Sequence, residues 1–510
     1  MKVLLAGPGT GKTTNIQKII AEKPDPSRIL VISFTNATVE DLKKSLVPAG
    51  VNVECCMTLH KFAVKYNHDK TRHVLENKEI EQLQQISDQT EISFVDLCNF
   101  LATTTFDQMI ERFVGYAKAN PAYLKEKLAP YSILIVDEYQ DFNKKEQELI
   151  DLLVEVMEEA YILGDDDQCI YDFKDASNEK IIELHQDPSH ETIAHEHKCY
   201  RCPDVVVDGA TKLIKNNVKR VDKKWEKTNK PGNLEIKQFS TSEDSADYVL
   251  NETQKALAAN AEDKVLILSP VRFFVEPLTK KLEAAGIEFK NYFIGKVPVE
   301  LVVKAWGLCS LFGKHKYLNL LLLGYRVLQT RSKYYALIKS HYDSGQNIDE
   351  LYALLLSRLP EEVKVTYPSI EEALQTPAFA ELAELYEKAE GDTADEKLEN
   401  LFVLVSEEVE QRVNIMSIHK SKGLGADHVF MIGLVEGVIP NVAKGNDTIE
   451  SQRRLFYVGM TRAKKSLHLL SSINLEGRHA NTVNKPDFKF DFRSRMWKGK
   501  ASRFIEELSR

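Results

Sequence analysis

The chain has 510 residues, 43% of them hydrophobic and 28% charged, which excludes a disordered, collagen-like or disulfide-stapled protein and predicts roughly two to four domains. Sixty-seven basic and 76 acidic residues leave a net charge of −9, so any nucleic-acid surface has to be a local patch and not a global positive field. The opening MKVLLAGPGT runs straight into glycines and lacks a signal peptide's apolar core. The apolar-looking stretch Tyr317 to Leu328, interrupted by Asn319, Gly324 and Arg326, is too short to span a bilayer. Seven cysteines suit a reducing interior, and Cys199-x-x-Cys202, without a second pair at zinc spacing, reads as ordinary thiols. The expected setting is cytoplasmic, with no membrane.

In chain order, Lys2 to Ala6 predicts a strand, Gly7 to Thr13 a loop and Thr14 to Glu22 a helix, which Pro24 and Pro26 break. Arg28 to Phe34 is an apolar strand, and Thr38 followed by Asp41 reads as a helix cap. Tyr66 to Pro130 is polar and mostly helical, an insertion without strong strand signals. Ile133–Asp137 and Tyr161–Gly164 are buried strands ending in acidic residues. A second set follows at Lys264–Ser269, Val413–Ile418, Val429–Gly433 and Leu467–Ser471. It is interrupted over about 301–410 by a helical pattern (Leu318, Leu321, Leu322, then Leu351, Leu354, Leu355) with no credible strand pair. Apolar strands alternating with helices imply α/β architecture with parallel sheets covered on both faces. Lys485 to Arg503 carries seven basic and two acidic residues among Phe488, Phe490, Phe492 and Trp497. That is either a nucleic-acid surface or a terminal segment whose aromatics pack on a domain.

Ala6-Gly7-Pro8-Gly9-Thr10-Gly11-Lys12-Thr13, followed by Thr14, fits a phosphate loop between a strand and a helix. Glycines let backbone N–H groups curl round phosphates, Lys12 supplies a cation and Thr13 a hydroxyl for Mg²⁺. Ile133-Leu-Ile-Val-Asp137-Glu138 has the form of the second NTPase element: Asp137 can hold Mg²⁺ and Glu138 can take a proton from the attacking water.

At Val136-Asp-Glu-Tyr-Gln-Asp141 the sequence resembles the UvrD/Rep/PcrA helicases of superfamily 1, and the resemblance extends through the chain. The family's order continues through Ser33-Phe-Thr-Asn36, Thr58-Leu-His60 with Phe62, Gly164-Asp-Asp-Asp-Gln168-Cys-Ile-Tyr171-Asp-Phe173-Lys174 and Tyr200-Arg201. It goes on through Ser417-Ile-His419-Lys-Ser-Lys422-Gly423-Leu424 and Arg453-Arg454-Leu-Phe-Tyr457-Val-Gly-Met-Thr461-Arg462-Ala463, with a late Ser502-Arg503-Phe504. The resemblance implies two RecA-like P-loop NTPase domains, each with an inserted helical subdomain. Residues 1–65 and 129–195 form the first, with 66–128 inserted. Residues 196–300 and 411–475 form the second, with 301–410 inserted, and 476–510 is a basic aromatic tail. It implies ATP and Mg²⁺ as cofactors and an ATP-dependent translocase and helicase on single-stranded DNA and single-strand/duplex junctions, with 3′-5′ polarity and hydrolysis stimulated by the strand. A separate nuclease, repair or replication partner is a further expectation. Arg201 and Arg462 would act as arginine fingers. Gln168 would report on the γ-phosphate, and Tyr200 would stack on the base. Thr35, Asn36, Thr58, His60, Ser417 and His419 suit backbone phosphates, and Tyr171 and Phe173 suit bases.

The sequence departs from the family in four places. Five residues precede Ala6, where the family carries a Gln segment that reads adenine; Gly425 replaces the Glu that contacts ribose, leaving Asp427 nearby; Phe173 stands where many members have Trp; and the second insertion is short. Loose base selectivity and weak unwinding follow as expectations. Two other readings remain: a nucleotide-gated DNA-binding subunit that needs a partner and unwinds little alone, and a P-loop kinase, which explains only the first residues.

Overall fold

Short apolar runs, closed off by glycine, proline or acidic residues, become the strands of two sheets that are parallel throughout. The computed structural model describes residues 1–75, 77–293, 305, 308–309, 315–327, 331–345, 347–358, 369–377, 379–389, 394, 397–398, 401, 411–442, 448–476 and 488–508. The first sheet contains β1 (Lys2–Leu5), β2 (Ile29–Ser33), β3 (Cys56–Thr58), β4 (Ile133–Val136), β5 (Glu159–Gly164) and β6 (Glu191–Thr192), in the order β3-β2-β4-β5-β1-β6. The second contains β7 (Asn233–Phe239), β8 (Val265–Ser269), β9 (Phe289–Asn291), β10 (Val413–Ser417), β11 (Ala426–Met431) and β12 (Ala463–Ser472), in the order β9-β10-β8-β11-β12-β7. These are the two RecA-like domains. Strands β2, β4 and β8 are buried along their whole length, as parallel strands covered on both faces require.

Alternate residues of β8 enter different cores. Leu266 and Leu268 pack with Met416, Val429 and Met431 on one face, and Val265 and Ile267 pack with Ile415 and Phe430 on the other. Each fully buried Leu or Ile contributes about 1.5–3 kcal/mol. Strand β7 carries no continuous apolar run and is mostly open to solvent, as an edge strand can be. Its seven-residue parallel register with β12 places it in the sheet.

Several boundaries differ from those the sequence implies. The first helix runs Lys12–Ala21, starting inside the phosphate loop because Gly11 takes the left-handed conformation as its N-cap. The next helix, Asn36–Leu46, is capped by Thr35 and not Thr38. The Thr35 hydroxyl accepts the Thr38 N–H at 3.1 Å, while Thr38 Oγ1 takes the Thr35 N–H at 3.3 Å, a reciprocal box with threonine in the glutamate position.

The chain divides into two compact units. Both sheets lie in one, made of Met1–Tyr66, Val114–Ile294 and Glu410–Arg510; the other is Asn67–Phe113 with Gly295–Val409. In the helical unit both excursions share a core, where Leu83, Ile86 and Leu97 pack with Leu321, Leu322, Ile338 and Leu351. It also holds a two-residue parallel pairing, His73–Val74 with Thr103–Thr104, too short for a sequence pattern to reveal. Downstream, Lys489–Asp491, Met496–Lys498 and Asn474–Glu476 form a three-stranded antiparallel sheet. Phe488 and Trp497 of this segment pack against the second sheet's core, whereas Phe492 is 85% exposed. Phe504, on helix Arg503–Glu507, is fully buried against Phe456. Among the described residues no helix is long and apolar enough to cross a membrane.

Candidate nucleotide and nucleic-acid site

In open parallel sheets, ligands bind beyond the carboxyl ends of the strands. The loop after β1, the Asp137-Glu138 pair after β4 and Asp165 after β5 all lie there. Thr10 Oγ1 donates to Gly7 O at 2.8 Å and closes the loop on itself. Gly7 and Gly9 are needed for close approach. A Cβ on Gly7 would fall 2.2 Å from the Trp225 ring, and one on Gly9, whose φ is +69°, 2.5 Å from Arg201 Cβ. Gly7, Pro8 and Thr10 are buried, whereas Thr13 and Thr14 are exposed on the first helical turn.

Lys12 Nζ pairs with Glu138 and lies 3.3 Å from Asp137 Oδ1. Burial opposes charge on Lys12, but Asp137 and Glu138 outweigh it and hold the ammonium above its ordinary range. The neighbouring carboxylates diverge. Burial raises the pKa of Asp137. Glu138 is also buried, yet Lys12, Lys422 and the Gln140 amide at 2.7 Å hold it well below the carboxylate range. Glu138 has left-handed backbone (φ 56°), a strained conformation of the kind that clusters at functional sites. Asp137 Oδ1 is buried and has the Lys12 ammonium 3.3 Å away but no hydrogen bond of good geometry. With the Thr13 hydroxyl on the first turn of the helix, this carboxylate oxygen makes an oxygen donor set that suits Mg²⁺.

The second sheet contributes three cations. Lys422, five residues beyond the end of β10, donates to Asp141 Oδ1 and Oδ2 at 2.7 and 2.5 Å and to the Gln168 carbonyl at 2.6 Å. It also lies 3.5 Å from Glu138. Burial pushes Asp141 up to about 7, against the pull of Lys422. Arg462 is 1% exposed and donates to Val458 O, Leu424 O, Thr461 Oγ1 and Gln168 Oε1 at 2.8–3.2 Å. None of these acceptors is a carboxylate. Burial, then the neighbouring Arg201, presses the Arg462 pKa down. Gln168 also donates to Asp165 Oδ2 at 2.6 Å, and so joins Arg462 to the end of β5. Arg201 lies against Gly9, and the Tyr200 N–H donates to Gly9 O at 2.9 Å while its ring is 61% exposed. Gly425 sits between Arg201 and Arg462, with the Arg201 side chain 3.7 Å from its would-be Cβ. Asp427 is engaged elsewhere, by the Lys264 N–H at 3.1 Å and by Lys465.

The residues assigned to the strand occupy the same ends of the sheets. Thr35 caps its helix, and Asn36 beside it is exposed. Thr58 is buried and accepts the Lys61 N–H at 3.1 Å. His60 Nε2 lies 2.8 Å from Glu146. Tyr171 packs 5.0 Å from Phe34 and under Lys422, and burial raises its hydroxyl pKa to about 12. Ser417 Oγ accepts the Lys420 N–H at 3.3 Å, and burial lowers His419 to about 4. The side chain of Phe173 lies outside the described residues.

Sequence reasoning missed four contributors. Gln140 ties Glu138 to the Asp165 N–H. His195 Nε2 lies 2.9 Å from Thr10 Oγ1 and its Nδ1 3.2 Å from Asn15. Lys422 stood in a quoted motif without a role. Lys223, 2% exposed, pairs with Asp165, Asp166 and Asp167 at 2.5–3.0 Å, with Arg220 bidentate on Asp167 at 2.9 and 3.0 Å. The three carboxylates cluster tightly enough for a metal, but the Lys223 ammonium fills their centre.

Residues 325–474 match the UvrD-like helicase C-terminal domain, and residues 1–174 match an AAA domain. Similar proteins include the ATP-dependent DNA helicase Rep of Buchnera aphidicola from Schizaphis graminum, 27% identical over 71% of this chain and 65% of its own length. The ATP-dependent DNA helicase PcrA of Leuconostoc citreum is 24% identical over 79% of this chain and 60% of its own length. A probable DNA helicase II homolog of Mycoplasma genitalium is 23% identical over 96% and 86%. The chain thus spans less than two thirds of the Rep and PcrA relatives it matches.

Proposed function

Because the chain belongs to the UvrD/Rep/PcrA-like helicases of superfamily 1, we propose that it hydrolyses ATP to move along single-stranded DNA in the 3′-5′ direction and to open single-strand/duplex junctions. The observation that carries this reading is the encirclement of Glu138. Lys12 from its own domain stands on one side and Lys422 from the second sheet on the other, while Arg462 reaches Gln168 without a carboxylate partner. A buried guanidinium held only by neutral acceptors is suited to an incoming polyphosphate. In this reading the loop 7–14 binds the phosphates and Asp137 with Thr13 holds Mg²⁺, which when bound adds positive charge beside the transferring phosphoryl group. Glu138 orients and deprotonates water, and Arg201 and Arg462 stabilise the charge that develops. The first sheet with its insertion and the second with its own would be the two halves of the motor. The strand would cross at Thr35, Asn36, Thr58, His60, Tyr171, Phe173, Ser417 and His419 in a cytoplasmic setting, with a repair, replication or nuclease partner.

The test is ATP turnover with and without an unstructured DNA oligonucleotide, alongside displacement of a labelled strand from a 3′-tailed duplex. Strong stimulation with displacement supports the motor. Stimulated turnover without displacement assigns the chain to a partner-dependent role, and turnover indifferent to DNA sinks the proposal.

A further inference from the structure

The residues that bring Tyr200 and Arg201 against the phosphate loop are framed by two thiols. Cys199 and Cys202 are reduced, buried and three residues apart in the chain. The Cys202 N–H points at Cys199 Sγ, 3.4 Å away. Cys199 Sγ donates to Pro8 O of the phosphate loop at 3.2 Å, and Cys202 Sγ donates to Thr461 O, next to Arg462, at 3.3 Å. Each sulfur therefore holds one wall of the nucleotide site. The segment leads through Pro203 into the helix Asp204–Ile214, whose N-terminus favours negative charge nearby. The neighbouring Cys202, its backbone N–H and Arg201 lower Cys199 to about 6, while the neighbouring Cys199 and burial raise Cys202. Cys199 is thus the more acidic thiol of the pair and Cys202 the less acidic.

We propose that Cys199 and Cys202 form a redox-active dithiol that a hydroperoxide converts to a disulfide, and that the bridged form turns nucleotide over slowly. The Cys199 thiolate attacks the peroxide oxygen, breaks the O–O bond and becomes a sulfenic acid, with water released after protonation. Cys202 sulfur then attacks Cys199 sulfur, loses its proton and expels the hydroxyl as a second water. Two thiols are oxidised, one hydrogen peroxide is reduced to two waters, and a dithiol reductant reverses the change. Bridging removes both S–H donors, freeing the Pro8 and Thr461 carbonyls, and fixes Arg201 inside a four-residue ring. The effect on turnover rests on the nucleotide reading of the site, whereas formation of the bridge does not.

The experiment treats the full chain with hydrogen peroxide, blocks remaining thiols and digests with trypsin. Cleavage after Lys198, Arg201 and Lys212 makes the bridge visible as peptide Cys199–Arg201 joined to Cys202–Lys212, two hydrogens lighter than the free pair. DNA-stimulated turnover is expected to fall about 10²-fold, the scale of a ~1 Å displacement of a catalytic group, and to return with dithiothreitol. Cys202→Ser, measured against its own untreated rate, is expected to show neither the joined peptides nor a loss that dithiothreitol restores. Absence of the joined pair in peroxide-treated wild type overturns the proposal, as does equal turnover in the bridged and reduced forms. A joined pair in a chain that hydrolyses no nucleotide in either state upholds the dithiol and overturns the nucleotide reading.

Discussion

Arg462 carries a buried charge whose hydrogen bonds all go to neutral acceptors, an arrangement that is costly in the resting protein and useful only when an anion arrives. Arg462→Met keeps much of the volume and removes the charge. Turnover is expected to fall ~10³-fold, the scale for an arginine finger, while the melting temperature stays level or rises. Steady-state kinetics and a thermal melt on the same sample check both halves. His419 makes a different statement. Burial takes its folded pKa to about 4, below the ordinary 6.5, so the unfolded chain binds the proton first as pH falls. Its contribution to stability is complete above pH 6.5 and is lost as pH drops toward 4. At neutral pH the ring is uncharged, so on the proposed reading it meets a phosphate only as a hydrogen-bonding group. His419→Gln is therefore expected to leave the salt dependence of DNA binding unchanged, as measured by titrations at several salt concentrations, and to flatten the acid limb of the stability curve.

At the scale of elements, the strand β5 is followed by three adjacent aspartates that share Lys223, with Arg220 on Asp167. Lys223→Met leaves those carboxylates buried and under-compensated, with Arg220 alone on Asp167, and is expected to cost about 3–5 kcal/mol, read from the urea midpoint. The phosphate loop is coupled to the same stretch of chain through Trp225. Gly7→Ala is expected to weaken nucleotide binding because its methyl meets the ring at 2.2 Å. Adding Trp225→Leu should recover part of the loss, with a coupling of about 1 kcal/mol or more in a double-mutant cycle. These contacts explain what the sequence could and could not reveal. The phosphate loop and the Ile133–Glu138 strand are local signals, since neighbouring residues carry both the structure and the chemistry. Lys422 and Asp141 lie 281 residues apart, and Lys223 and Asp166 57 apart, with no periodicity linking them. Strand β7 was invisible because an edge strand keeps its polar residues, and the Thr35 cap was misplaced because Thr38 substitutes for the usual Glu or Gln.

For the whole molecule, the two-sheet plan was legible because each buried strand is an apolar run of a few residues, whereas the helical insertions offered only leucine spacing and no partner. The terminal segment shows the packing role its composition allows, with Phe488 and Trp497 on the second sheet's core. Phe504 fills a buried site against Phe456, so truncation before Phe488 is expected to lower the melting temperature. Phe492→Ala, which removes a ring standing in solvent, is expected to leave it unchanged and to report on nucleic-acid binding alone.

The shared core of the helical unit also sets an order of events during synthesis. The first sheet is complete once residue 192 has left the ribosome, because β6 is its last strand. Leu83, Ile86 and Leu97 emerge earlier still, yet their partners Leu321, Leu322, Ile338 and Leu351 come more than two hundred residues later. At roughly 5–20 residues per second the early apolar face waits on the order of ten to fifty seconds for its other half. A nascent chain stalled near residue 300 should therefore hold a protease-resistant first sheet beside a cleavable 67–113 excursion, and that excursion is where a holding chaperone would bind.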